Sequence, residues 1–160
     1  MKKEKSKINV KESNMLTNGF FDAACYLKKC EKADGFLLGI YAPAYTVNLA
    51  LACELYFKQL LYINGIDAKE NGRNIHGLKA LFKKVPSNIQ TEIQKIYLEN
   101  KNSNQYMSID ECLNLYDTAF EDWRYTYEGG KDCNTVADKD FFDFVHALKM
   151  VADKKAEETK

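Results

Sequence analysis

The chain has little arginine, histidine or proline, and its charges cancel. Only two of its 23 basic residues are Arg, and it holds two His, two Pro and five Cys without a CxxC pair. This supply of Cys and His argues against a zinc site, so we expect no metal and no cofactor. The formal net charge of zero argues against a protein-wide attraction to nucleic acid or anionic lipid. What is present, 160 residues of which 46% are hydrophobic, is typical of one globular domain.

The common signatures of catalysis and export are also missing. There is no GxxxxGK[ST] or GxGxxG phosphate loop, no GxSxG elbow and no HExxH pair. The basic N-terminus is not followed by an apolar run, so it does not read as a signal peptide. Cys25, Cys53 and Cys112 fall on apolar helical stripes, as small buried hydrophobes do. These features favour a reducing, cytoplasmic location.

One uncharged stretch, residues 35–53, is long enough to cross a bilayer. It contains Gly35, Gly39, Pro43 and Asn48, and charges bound it at both ends. We therefore expect a buried core helix here and no contact with a membrane.

Hydrophobic periodicity predicts an all-α fold, a compact up-and-down bundle of about five or six helices. A flexible basic tail at 1–12 would precede a single domain at 13–157. The first helix, near 13–31, should bury one apolar face: Leu16, Phe20, Ala23, Ala24 and Leu27.

The second helix should be the central one, because it is apolar almost all round from Pro43 to Asn64-Gly65. A polar loop is expected at 65–75. Four further helices should follow: near 76–85, from a Ser87–Gln90 capping box, from a Ser108–Glu111 capping box, and from Asp138.

Glu54 and Lys58 are the only charges in the central helix between Val47 and Ile63. They lie four residues apart and so share a face. The pair is either an ion pair at the edge of the bundle or one wall of a polar pocket, since a lone buried charge is costly.

His76 stands where the polar loop meets the next helix, within a locally basic segment at 65–84. It is either a helix-start residue bonded to backbone or a positioned acid or base, because His titrates near neutrality. The basic segment is either a solvated face or a contact for phosphate.

The third candidate is the run from Trp123 to Gly130, in which Arg124 is surrounded by aromatic residues and followed by Glu128. Arg124 could stack on Tyr125 or Tyr127 and form a fork onto Glu54. The run is either an aromatic lock between helices or a surface that stacks on a base and binds phosphate.

Four segments in this order resemble the HEPN domain family, over about residues 36–150: Pro43-Ala44 with Asn48, Glu54-Leu55-Tyr56-Phe57-Lys58-Gln59-Leu60-Leu61, His76-Gly77-Leu78 with Leu81-Phe82, and Trp123-Arg124-Tyr125-x-Tyr127-Glu128. The resemblance implies a helical bundle that dimerises in a prokaryotic cytoplasm. It also implies RNA or a nucleotide as ligand, in toxin–antitoxin or phage-defence systems, with a nucleotidyltransferase or antitoxin as partner.

The nuclease branch of that family uses an Arg followed four to six residues later by His, and this chain lacks that spacing. Residues 128–130 after Arg124 are Glu-Gly-Gly, and Arg73 precedes His76 by three. The leading hypothesis is therefore a homodimer without the usual nuclease motif that binds RNA, a nucleotide or a partner protein. Its binding pocket would contain Lys58, His76, Arg124, Tyr125 and Tyr127, with Glu54 as the orienting carboxylate and Glu128 beside them. The alternatives are a metal-independent ribonuclease using His76 and Arg124, and a purely structural dimeric partner.

The zero net charge is a sum of unlike parts. Residues 1–11 carry +4 and 12–107 carry +2, whereas 108–143 carry −7 and 144–160 carry +1. We therefore expect any phosphate-binding surface near 65–84 and the N-terminal tail.

Overall fold

Helices form almost all of the structure, a computed structural model that describes residues 9–33, 40–100, 107–124 and 137–159. In these ranges there are seven helices: α1 (Val10–Ala33), α2 (Ala42–Ile63), α3 (Leu78–Lys84), α4 (Ser87–Glu99), α5 (Ile109–Tyr116), α6 (Ala119–Arg124) and α7 (Lys139–Glu158). Two strands, β1 (Lys69–Glu70) and β2 (Arg73–Asn74), form a small hairpin. The prediction of an all-α fold is confirmed.

Helix α2 lies at the centre, as predicted. It packs against α1, α3, α6 and α7, and its side chains Tyr56, Phe57 and Leu60 are completely buried. Pro43 lies in its first turn, where a missing N–H costs nothing. The helix ends at Asn64, and Gly65 follows with a φ of 68°.

The predicted inner face of α1 is wrong at Leu16 and Phe20, but it is confirmed at Ala24, and Leu27 packs partly buried against the core. Leu16 is 68% exposed and Phe20 is exposed as well, whereas Thr17, Phe21 and Ala24 are buried. Thr17 can be buried because its hydroxyl donates to the Ser13 carbonyl at 2.9 Å. The helix thus packs on a partly polar face and leaves its more apolar face in solvent.

The expected polar loop at 65–75 contains the hairpin, which the sequence analysis missed. Lys69 pairs with Asn74 and Glu70 with Arg73 in an antiparallel register. Asn71 and Gly72 form the turn with φ values of 50° and 76°, the signature of a type I′ turn. The Asn-Gly dipeptide is a hairpin signal that could have predicted it.

The single helix expected from Ser108 breaks into α5 and α6 at Asp117. The Asp117 carboxylate accepts from the Lys79 N–H at 2.7 Å, and its carbonyl accepts from the Leu78 N–H at 3.4 Å. The turn at Asp117 therefore satisfies the first N–H groups of α3, which have no partner inside that helix.

The capping predictions have mixed outcomes. Ser108 and Glu111 form the expected capping box, and Asp138 caps α7 by accepting from the Phe141 N–H at 2.9 Å. The box at Ser87 is wrong, because Pro86 is the N-cap and Gln90 donates instead to backbone carbonyls of the preceding turn.

Among the described residues, no helix is both long enough and apolar enough to cross a bilayer. The same part of the chain holds no group of three or more His, Cys, Asp or Glu arranged to bind a metal ion. Its four cysteines are free thiols. Cys53 and Cys112 are buried as predicted, whereas Cys25 is half-buried.

Candidate functional site: a buried carboxylate and its two partners

Glu54 is a carboxylate at the middle of the central helix, and only 4% of it is exposed. Its Oε1 accepts from the Lys58 ammonium at 2.5 Å and from Nδ1 of His76 at 2.9 Å. A buried charge of this kind is stable only when it is paired and hydrogen-bonded. The structure therefore joins three of the predicted site residues around one oxygen atom.

The hairpin brings His76 to α2. The Ile75 N–H donates to the Ala68 carbonyl at 3.0 Å, and the Ile75 side chain is buried in the core. The residue after His76, Gly77, is the N-cap of α3. A Cβ at Gly77 would meet the Asp117 carboxylate at 3.2 Å. Glycine here lets the helix start close to Asp117, with His76 held on one side of it.

Both partners of the carboxylate reach solvent although the carboxylate itself does not. About half of the His76 side chain is exposed, and Lys58 is partly exposed. His76 forms a hydrogen bond with the Glu54 side chain, which differs from the expectation that it bonds to backbone. With Nδ1 donating to Glu54, Nε2 is the remaining ring nitrogen, an acceptor in the neutral ring. The arrangement can bind an anion or receive a proton.

A groove of about 560 Å³ lies beside Lys58. Lys58 and Tyr62 of α2 line it together with residues 65–68 and, on the hairpin, Lys69 and Asn74. A second hollow of about 410 Å³ lies along the hairpin itself, where Arg73 contributes to the lining. Two acids, Asp67 and Glu70, also line these hollows, so the lining is mixed with an excess of basic residues.

The structure does not test the other predicted members of the site. Arg124 is the last residue of α6, a helix that packs on α2, and its side chain is outside the described part. Tyr125, Tyr127 and Glu128 also lie outside the described residues. Their contact with Glu54 stays a prediction.

A polar network that was not predicted from the sequence joins α1, α2 and α7. Asn14 and Asn18 both donate to Oδ1 of Asp153, at 2.7 and 3.0 Å. Gln59 donates to Asn14 at 2.8 Å, and the Tyr56 hydroxyl donates to Asn18 at 2.6 Å. The spacing of Asn14 and Asn18, four residues apart, and the presence of Gln59 in an apolar helix are signals that could have predicted it.

The network ends at an ion pair. Lys149 donates to Oδ2 of Asp153 at 2.5 Å. Burial pushes the pKa of Asp153 upward, but hydrogen bonds from Lys149, Asn14 and Asn18 outweigh it and hold that pKa below its ordinary value. The hydrogen bonds of this network join α1, α2 and α7, although Oε1 of Gln59 is buried without a partner in the described part of the chain.

Comparison of the chain with protein-family models, with curated proteins and with solved structures gives no match. The resemblance to HEPN domains therefore rests on the motifs alone, and the function has to be argued from the site.

Proposed function

We propose that the chain is a HEPN-like RNA-binding protein that lacks the usual nuclease motif. It would bind single-stranded RNA along the groove that Lys58 and Tyr62 line. The observation that supports the proposal most is the buried Glu54 carboxylate, which holds the half-exposed His76 ring and the ammonium of Lys58, the residue that links this carboxylate to the groove.

The groove offers the two contacts that single-stranded RNA needs. Tyr62 is exposed on its wall, and a base can stack on such a ring whatever its identity. Lys58 and Lys69 lie on the same groove and can follow the phosphates. Asn74 is the one side-chain amide among the described residues of this lining, and a single amide can distinguish few bases, so we expect little sequence preference.

Glu54 would act as a positioning residue. It holds the Lys58 ammonium and the His76 ring before RNA arrives, which lowers the entropic cost of ordering them on binding. An ammonium has three donors. Lys58 can therefore keep its bond to Glu54 and still donate to a phosphate oxygen.

Fluorescence anisotropy with a labelled, mixed-sequence single-stranded RNA tests the proposal. Tyr62→Ala should weaken binding by about 1–3 kcal/mol per stacked base. Lys69→Ala should lower the slope of log K against log[salt] by about 0.7 for each phosphate that the protein no longer neutralises. Lys95→Ala is the matched control, because Lys95 is an exposed lysine on α4 away from the groove. No binding at low salt, or an equal loss in the control, contradicts the proposal.

The hydrogen bond from His76 to Glu54 favours one second candidate, a metal-independent ribonuclease. Nε2 of His76 would take the proton of a 2′-hydroxyl, and the 2′ oxygen would bond to phosphorus while the bond to the 5′ oxygen breaks. The leaving 5′ oxygen would take a proton from solvent, giving a 2′,3′-cyclic phosphate and a 5′-hydroxyl. Arg124 would stabilise the charge on the phosphoryl oxygens.

Incubation of RNA with the purified protein in chelator decides this candidate. Cleavage that leaves cyclic phosphate ends and is lost in both His76→Ala and Arg124→Ala supports it. If RNA stays intact, or if both variants cut like the wild type, a ribonuclease that uses His76 and Arg124 is ruled out.

A toxin–antitoxin or phage-defence setting, with a nucleotidyltransferase or antitoxin as partner, belongs to the same proposal and rests on the resemblance. A purely structural role for Glu54, Lys58 and His76 is the remaining alternative. It predicts that these residues affect stability and leave RNA binding unchanged.

A further inference from the structure

Helix α1 has two faces that could pack, and only one of them does so within the chain. Phe21 and Ala24 point into the core, and the face that contacts α2 and α7 includes Asn14 and Thr17. The opposite face carries large apolar side chains in solvent: Met15, Leu16, Phe20 and Tyr26. Four such residues on one exposed helix face exceed the scattered single hydrophobics of an ordinary surface.

The exposed face has the spacing of a coiled-coil seam. Leu16, Gly19, Ala23 and Tyr26 follow one another at intervals of three, four and three residues, the alternation that keeps side chains on one line of a helix. Glu12 and Cys30 continue the line at either end with intervals of four.

This line is symmetric about residue 21. Gly19 and Ala23 are equally distant from that point, and so are Leu16 and Tyr26. The two small residues are in the middle and the two large ones outside. A Cβ built at Gly19 meets no atom within 4 Å, so this chain leaves the space above the middle of the seam open.

We propose that this face of α1 is a dimer interface, on which the same face of a second copy packs antiparallel about a two-fold axis near residue 21. Leu16 of each copy then lies against Tyr26 of the other, and Gly19 lies against Ala23. Small residues at the centre let the two backbones approach closely, and a two-fold interface of this kind is self-complementary.

The exposed apolar area on α1 is large enough to form an interface with a second copy of the chain. Met15 is 73% exposed, Leu16 and Tyr26 are each 68% exposed, and Phe20 is 36% exposed. With about 200 Å² for a large side chain, these four supply roughly 500 Å² per copy, so two copies reach the ~1,000 Å² of a specific interface.

The charged residues are placed as a rim. Asp22 and Lys29 are exposed on one flank of the seam, and the seam itself is uncharged from Leu16 to Tyr26. A polar rim around an apolar centre is the usual anatomy of a protein interface. The seam lies on α1, whereas the RNA-binding groove is built by α2 and the hairpin, so the two surfaces can be tested separately.

Analytical ultracentrifugation of the full chain tests whether the exposed face of α1 forms a dimer. The wild type should sediment as a dimer at micromolar concentrations, and Leu16→Glu should halve the mass. Leu98→Glu is the matched control, because Leu98 is an exposed leucine on α4 and should leave the dimer intact. A monomeric wild type, or a Leu16→Glu protein that remains a dimer, overturns the proposal.

A cysteine variant tests the register and keeps the wild-type seam. Glu12 and Cys30 are symmetric about residue 21, so Glu12→Cys should join Cys30 of the second copy when glutathione disulfide oxidises the two thiols. A covalent dimer on a non-reducing gel is the expected result. Lys11→Cys, one residue away and turned off the seam, is the control. Equal cross-linking of both variants, or none in Glu12→Cys, overturns the antiparallel register.

Discussion

Glu54 is held in an almost solvent-free position by Lys58 and His76, which themselves reach solvent. Its position on the apolar central helix made it a candidate from sequence, because a buried charge must find partners. Lys58 followed from the spacing of four. His76 was predicted to belong to the same site, but Arg124 and Lys58 were the predicted partners of Glu54. The hydrogen bond from His76 to Glu54 depends on the hairpin and on the start of α3, which periodicity does not report.

Asp153 provides a prediction about pH. Its folded-state pKa is depressed, so its contribution to stability is present above the unfolded pKa of about 3.9 and is lost as the pH falls through the lower, folded value. Asp153→Asn should therefore reduce the free energy of unfolding at neutral pH, and the difference from wild type should shrink in acid below about pH 4. Urea denaturation across this range measures it.

Glu99→Gln is the control for that experiment. Glu99 pairs with Lys95 on α4, where both side chains are exposed, and surface pairs contribute little. A gap between Asp153→Asn and wild type that stays constant down to the most acid point would show that Asp153 stabilises through packing and not through its charge.

Helix α1 shows why periodicity alone does not fix which face of an element packs. Its most apolar stripe, with Leu16 and Phe20, was the predicted core face. The face that packs holds Asn14 and Thr17, whose polarity is offset by hydrogen bonds to Gln59, Asp153 and a backbone carbonyl. Gln59 lies on α2 and Asp153 on α7, so these two hydrogen bonds depend on the tertiary structure. The backbone carbonyl belongs to the preceding turn of α1 itself.

Helix α3 depends on a cap that another element supplies. Its N-cap, Gly77, has no side chain, and the Asp117 carboxylate accepts from the Lys79 N–H in its place. Asp117→Ala should cost about 1 kcal/mol of stability, the usual effect of losing a cap. Asp117→Asn keeps an acceptor and should recover most of the loss. Guanidinium denaturation of the two variants compares them, and equal stabilities would contradict the capping role.

At the scale of the whole molecule, the order of the helices and the central place of α2 followed from the sequence, because a helix that is apolar on all sides has to be enclosed. The break at Asp117 and the turn at Asn71-Gly72 did not follow, since each is fixed by contacts or dihedral angles that periodicity does not report. The uneven charge along the chain predicted a basic surface near 65–84, and Lys69 and Arg73 of that segment each line one of the two hollows at the hairpin.

The central claim is that Glu54 organises Lys58 and His76 for binding RNA. Its most direct test is the affinity of Glu54→Gln for single-stranded RNA, measured by anisotropy at a temperature where wild type and variant are both folded. The account predicts a lower melting temperature together with weaker RNA binding, because Lys58 and His76 lose the carboxylate that positions them. A lower melting temperature with unchanged RNA affinity would contradict it and would show that the three residues only lock the helices together.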